Sequence, residues 1–218
     1  MKVGILGSGV VGRTLAGGLS RIGNHVMIGT RDIQKEELQA WREQDKEKHK
    51  LGSFKEASIF GELIVLCTQW TGTKNVIEQA GIWNFKNKVI VDVTNPLDGK
   101  GPDENGRVHF AALNSASAGE QVQAWLPDSH VVKALNCVGN IHMVAPKLEE
   151  GAPTMFIAGN DDLAKKAVTE ILSKLGWQDV ADMGGIEISR DIEALCVLWY
   201  AYGFRTGSWT HAFKLLKK

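Results

Sequence analysis

Three glycines, Gly7, Gly9 and Gly12 in the run GSGVVG, are the first residues whose spacing implies chemistry. A glycine at the first position permits a tight turn. At the second it lets backbone approach a pyrophosphate, and at the third it lets helix and strand pack closely. Ser8, Val10 and Val11 complete the turn, and a helix opening there offers free N–H donors and a positive dipole end to phosphate. The glycine pattern alone is weak. Here the apolar run KVGIL (2–6) precedes it, Val11, Leu15, Leu19 and Ile22 recur at helical spacing behind it, and HVMIG (25–29) follows. That is a βαβ unit of the right length, and the context makes the dinucleotide reading strong. A turn used only for packing is the competing reading.

The end of the second apolar run selects the cofactor. Sites for the unphosphorylated dinucleotide place an acid there. This chain instead runs into Gly29-Thr30-Arg31-Asp32, with Lys35 a turn later. Thr30 can donate to a ribose phosphate, Arg31 can grip it with a planar fork, and Lys35 adds a second charge. At roughly 1.5–3 kcal/mol per charge-assisted hydrogen bond, the cluster would favour NADPH over NADH by about ten- to several-hundredfold. Asp32 competes as the ribose acid of an NAD site, or else caps the helix that follows.

Beyond the carboxyl ends of later apolar runs lie three polar segments that could line the rest of the ligand. They are Cys67-Thr68-Gln69-Trp70, Thr94-Asn95-Pro96-Leu97 and Asn136 through Asn140. Trp70 can wall the site or stack on a flat ring, or simply pack at a loop. No convincing proton donor accompanies them, so the catalytic residues stay unknown at this level. Lys133 reads best as structural and His142 as a core or surface histidine. His25, His49, His109, His130 and His211 read as solvent-facing. No HExxH, GxSxG or ligand-spaced His/Asp pair occurs, and no metal site is expected.

The elements that must position these residues alternate. Strands are expected at 2–6, 25–29, 63–67, 88–93, 130–135 and 154–158. Helices are expected behind the glycine turn, over Gln34–Lys50 as a solvated helix, near 72–80 and 117–125, over Asp161–Leu175 and over Ile186–Tyr200. Alternation of this kind means an α/β fold: a Rossmann doubly wound, mostly parallel sheet. With 218 residues, the chain divides into a dinucleotide-binding domain over 1–150 and a small C-terminal α/β lobe over 151–218 ending in a helix, with EEGAP (149–153) as the break. That lobe could equally add its strand to the same sheet.

Lys+Arg and Asp+Glu both number 25, so the net charge is zero. Nothing electrostatic points to nucleic acid or an anionic membrane as partner. Cys67, Cys137 and Cys196 are scattered, as in a reducing cytosol, and a cytoplasmic protein is expected. The N-terminus lacks the apolar core of a signal peptide, and Leu63–Cys67, the longest strongly apolar run, is far too short to span a bilayer.

The ordered set GSGVVG, GTRD, VDVTNPL, LPDSHVVKALN and GNDDLAKKAV, with an acid in the final helix, resembles the coenzyme-F420-dependent NADP oxidoreductases. It is also similar to the N-terminal reductase domain of the six-transmembrane metalloreductases. The resemblance runs over about residues 2–200. It implies NADP(H) as cofactor and hydride passage between NADPH and a deazaflavin (F420) or a flavin (FMN or FAD) stacked on the nicotinamide. Archaeal members carry His where Asn136 stands and Pro where Gly139 stands. Transfer between stacked rings needs positioning more than acid catalysis, which makes Ser8, Thr68, Gln69, Trp70, Asn95 and Asn136 positioners. Two other readings stay open: a non-catalytic NADP(H)-binding redox sensor, and a small-molecule carbonyl or imine reductase. Trp199, Tyr200, Tyr202, Phe204 and Trp209 make the C-terminus aromatic, and a homodimer is expected from them.

Overall fold

The computed structural model describes residues 1–113 and 117–217. In chain order the main elements are β1 (Lys2–Leu6), α1 (Val10–Arg21), β2 (His25–Gly29), α2 (Glu36–Glu43), β3 (His49–Gly52) and α3 (Phe54–Phe60). Then come β4 (Leu63–Leu66), α4 (Trp70–Ala80), β5 (Val89–Asp92), α5 (Ala118–Trp125) and β6 (His130–Lys133). The chain ends with β7 (Thr154–Gly159), α6 (Asp162–Lys174), β8 (Asp179–Asp182) and α7 (Ser189–Thr206).

One eight-stranded sheet runs in the order β3-β2-β1-β4-β5-β6-β7-β8. All neighbours pair parallel except β6 and β7, which are antiparallel. The strand order reverses between β1 and β4, which opens the ligand crevice of a Rossmann sheet there. The strands after residue 153 therefore extend this same sheet. Both faces are covered, so the strands are apolar on both sides. Val3, Ile5, Leu63 and Val65 pack with Leu15 and Leu19 of α1 and with Leu172 of α6. Leu6, Ile64, Leu66 and Ile90 face Ala57, Val76, Ile77 and Val122 of α3, α4 and α5.

Several expectations are corrected. The helix expected over Gln34–Lys50 covers only Glu36–Glu43. The Asp45 carboxylate accepts the Lys48 N–H at 3.1 Å, which turns the chain into the edge strand β3. His49, expected to face solvent, is buried: its ring stacks 4.1 Å from Trp41, with Nε2 2.8 Å from Ser20 Oγ. Asp32 does not cap α2, whose N-cap is Lys35; its carboxylate instead accepts the Gln34 N–H at 2.9 Å. The last helix begins at Ser189, after a 3-10 turn, and continues past Tyr200 to a left-handed stop at Gly207. Strands β3 and β8 and helix α3 were not anticipated, although Ser53 and Glu56 form a capping box at the start of α3. No described helix is long and apolar enough to cross a membrane.

Candidate functional site

Backbone geometry at the glycine turn follows from crowding. Gly7 has φ 130°, and a Cβ there would lie 2.6 Å from the Cys67 carbonyl oxygen. A Cβ on Gly12 would lie 2.0 Å from the Gly7 oxygen, so helix, turn and strand meet at van der Waals distance only without side chains. Gly9 is different: no protein atom stands within 4 Å of a Cβ built there. Its side faces open space at the N-cap of α1, where the first-turn N–H groups have no intrahelical partner. That open cradle fits a pyrophosphate.

Two cavities flank the turn and share Gly9, Cys67, Thr68, Gln69 and Thr71. The first, about 640 Å³, is lined by Gly7, Ser8, Thr30, Arg31, Asp32 and Lys35. Ser8 Oγ lies 3.0 Å from Thr30 Oγ1, tying the turn to the end of β2. Arg31 and Lys35 are exposed and form no ion pair among the described residues, so both are free to take a phosphate. Arg13, one turn into α1, donates to the Ser8 carbonyl at 3.0 Å and pairs with Glu37 at 3.5 Å.

The second cavity, about 630 Å³, has Val10, Trp70, Leu97, Val108 and Tyr200 as apolar or aromatic walls, with Thr68, Gln69, Thr94, Asn95, Asp98 and His109 as polar ones. Trp70 also stacks on Trp125, with ring centroids 5.5 Å apart. The Cys67 thiol contacts the Leu6 and Gly7 carbonyls at 3.5 and 3.7 Å, and burial pushes it up to about 12.

Asn136 and Asn140 do not line either cavity. Asn136 is 5% exposed and stands behind Asn95: its Nδ2 donates to Asn95 Oδ1 at 2.9 Å, and Asn95 Nδ2 donates back to the Asn136 carbonyl at 2.8 Å. The same Nδ2 reaches the Ile192 carbonyl on α7 at 3.2 Å. Asn140 opens a 3-10 turn after β6.

A buried charge network supports this wall. Lys133 is fully buried, 2.7 Å from Asp92 Oδ2 and 2.8 Å from Glu193 Oε1, and donates to the Thr94 carbonyl at 2.8 Å. Burial alone would pull the Lys133 ammonium down, but Asp92 and Glu193 outweigh it and hold it above its ordinary value. Asp92 Oδ1 accepts both the N–H and the hydroxyl of Thr94, at 2.9 and 2.7 Å. Glu193 accepts the Ala118 and Gly119 N–H groups at the start of α5. The network thus fixes the Thr94–Asn95 segment to β6, α5 and α7. Its signal was present in the sequence: an acid and a lysine close two apolar strands, and the sheet register places Asp92 beside Lys133.

A switch-point groove with a glycine cradle, cationic at one end and apolar at the other, defines the class: an NADP-dependent oxidoreductase on a Rossmann sheet. The family described as "NADP oxidoreductase coenzyme F420-dependent" matches residues 2–96. F420-dependent NADP reductase of Methanocaldococcus jannaschii is 30% identical over 207 residues, covering 91% of this chain and 90% of that one. Metalloreductase STEAP3 of Rattus norvegicus is 27% identical over 203 residues, 89% of this chain but only 36% of the longer protein. A solved structure from Arthrobacter sp. FB24, provisionally described as an F420-dependent NADP reductase, is 34% identical over the whole of both chains with a TM-score of 0.91. An NADP+-bound imine reductase of Myxococcus stipitatus shares the fold at 13% identity and a TM-score of 0.66. The chain belongs to the F420-dependent NADP reductase family.

Proposed function

We propose that this chain passes hydride between NADPH and a deazaflavin of the F420 type, with a flavin as the alternative ring acceptor. The observation that carries the reading is the two-ended groove centred on Gly9. Ser8, Thr30, Arg31 and Lys35 take the ribose phosphate at one end. At the other, Trp70, Leu97, Val108 and Tyr200 wall a cavity of about 630 Å³ in which two flat rings can lie face to face. Stacked rings at about 3–3.5 Å need chiefly orientation and exclusion of water. The protein's part is to hold Thr94 and Asn95 still beneath them, through Lys133 and Asn136. The named relatives support F420 as the acceptor.

Stopped-flow mixing of NADPH-loaded protein with F420, FMN and FAD, followed at the 340 nm band, tests the assignment. Rapid loss of NADPH with F420 is expected. Binding without transfer to any ring acceptor would favour a redox sensor, and turnover of a small carbonyl or imine would favour the third reading. We further propose a cytoplasmic homodimer, which sizing by light scattering checks; a clean 23.8 kDa species would count against the dimer.

A further inference from the structure

Reduction of a ring acceptor by NADPH consumes a proton as well as a hydride. The second cavity contains one imidazole among its described lining residues, that of His109. Its loop, between β5 and α5, is fastened across its base: Asp98 N–H donates to the His109 carbonyl at 2.9 Å, and Ala111 N–H to the Pro96 carbonyl at 2.7 Å. Leu97 and Phe110 pair as an isolated antiparallel bridge. Asp103 faces the ring, with Oδ2 3.2 Å from Nε2. Its Oδ1 accepts the Asn105 and Arg107 N–H groups, each at 2.9 Å. These bonds, that from Arg107 first, hold the Asp103 carboxyl below its ordinary range, so it faces the ring ionised. Asp98, paired with Lys100 at 3.9 Å, and Tyr200 from α7 are the other titratable groups at this end of the cavity.

We propose that His109, oriented by Asp103, is the proton donor that accompanies hydride transfer in this cavity. Asp103 engages Nε2 and leaves Nδ1 without a protein partner among the described residues. Hydride leaves nicotinamide C4 with two electrons and forms a new C–H bond on the deazaflavin ring. His109 gives the Nδ1 proton to the ring nitrogen that gains the negative charge. NADPH is oxidised to NADP+, the acceptor becomes its dihydro form, and the neutral imidazole recovers a proton from water through its half-exposed face. In the reverse direction the same nitrogen is the base.

The proposal rests on the ring-acceptor reading, and the test separates the two. In the wild type, adding oxidised F420 to the NADP+-loaded protein should shift the His109 ring resonance, identified by its absence in His109→Gln. His109→Ala should lower kcat about 100-fold with F420, the lower end for a lost acid–base group, while NADPH affinity stays within about twofold. Added imidazole should restore turnover, which loss of a merely structural side chain would not allow. Asp103→Asn should give an intermediate loss. Retention of kcat within threefold in His109→Ala, or no rescue by imidazole, overturns the role of His109 and leaves the function standing. A wild type that reduces no ring acceptor overturns both.

Discussion

Replacing Lys133 by methionine removes the one cation that, among the described residues, pairs with Asp92 and Glu193, which are 0% and 1% exposed. Breaking a buried ion pair by deleting one partner costs about 3–5 kcal/mol, because the remaining charge is left uncompensated. Both carboxylates keep other donors here: Asp92 the Thr94 N–H and hydroxyl, Glu193 the Ala118 and Gly119 N–H groups. The cost should therefore sit near about 3 kcal/mol, a fall of about 6–12 °C in Tm for a chain of this size. The sign with pH follows from Lys133 itself: its ammonium is held above its ordinary value, so the stability it contributes is present at neutral pH and lost as pH rises through that raised value, and the deficit of the variant against wild type shrinks at alkaline pH. Thermal unfolding of wild type, Lys133→Met and the triple variant Asp92→Asn/Lys133→Met/Glu193→Gln is the assay. The triple variant should recover much of the loss. A Lys133→Met change below about 1 kcal/mol, or one independent of pH, would refute the claim that the three charges form one compensated unit.

Other outcomes follow from the same geometry. Gly9→Val should leave Tm within a few degrees, because its side chain enters open space, yet weaken NADPH binding by more than tenfold; Gly12→Ala should instead fail in stability, its Cβ meeting the Gly7 oxygen. Arg31→Ala should raise the NADPH dissociation constant by about 10- to 150-fold, the loss of roughly 1.5–3 kcal/mol, with little effect on NADH; isothermal titration with both cofactors checks it. The Asp179 carboxyl is held well below its usual range, first by the Thr154 hydroxyl and then by Lys214 and Lys217, so the tail latch it forms is present above the ordinary carboxylate pKa and lost as pH falls through the depressed value. The hydrogen-exchange protection factor of the Leu215 N–H, which donates to Thr154 Oγ1, should fall in that acid window. Burial raises Cys137 and Cys196 each to about 12, so a thiol reagent at neutral pH should find these two silent until the protein unfolds.

The strand–turn–helix unit around KVGIL-GSGVVG was legible in the sequence, as was the placing of Thr30 and Arg31 beside its turn, because turn chemistry and strand succession are local properties. Other features were hidden because they depend on contacts distant in sequence. His49 reads as solvent-facing from its charged neighbours, and only the pairing of β3 with β2 brings it onto Trp41 and Ser20. Asn136 follows an apolar strand as Asn95 does, yet only Asn95 faces the cavity, because Asn136 turns back to brace it. The loop containing Asp103 and His109 has no periodicity to read. Its fold is set by Asx turns and by Gly106 against Phe204, where a Cβ would lie 2.8 Å away. Within the aromatic C-terminus Trp199 is ringed by Tyr200, Trp209 and His211, whereas Tyr202 and Phe204 stay exposed, a division that depends on the segment after α7 folding back onto it.

The antiparallel joint between β6 and β7 has a consequence for how such a protein can change its substrate. Reversing direction there sends the carboxyl ends of β7 and β8 to the edge of the sheet opposite the groove, where Asp161 meets His130 at 3.4 Å. The last third of the chain then reaches the second cavity through one helix, α7, which offers Tyr200 to its wall and Glu193 to the charge network behind it. Under the function proposed above, exchange of a few side chains on that helix and on the loop bearing His109 would re-shape the wall of the acceptor cavity without touching Gly7, Gly12, Thr30 or Arg31.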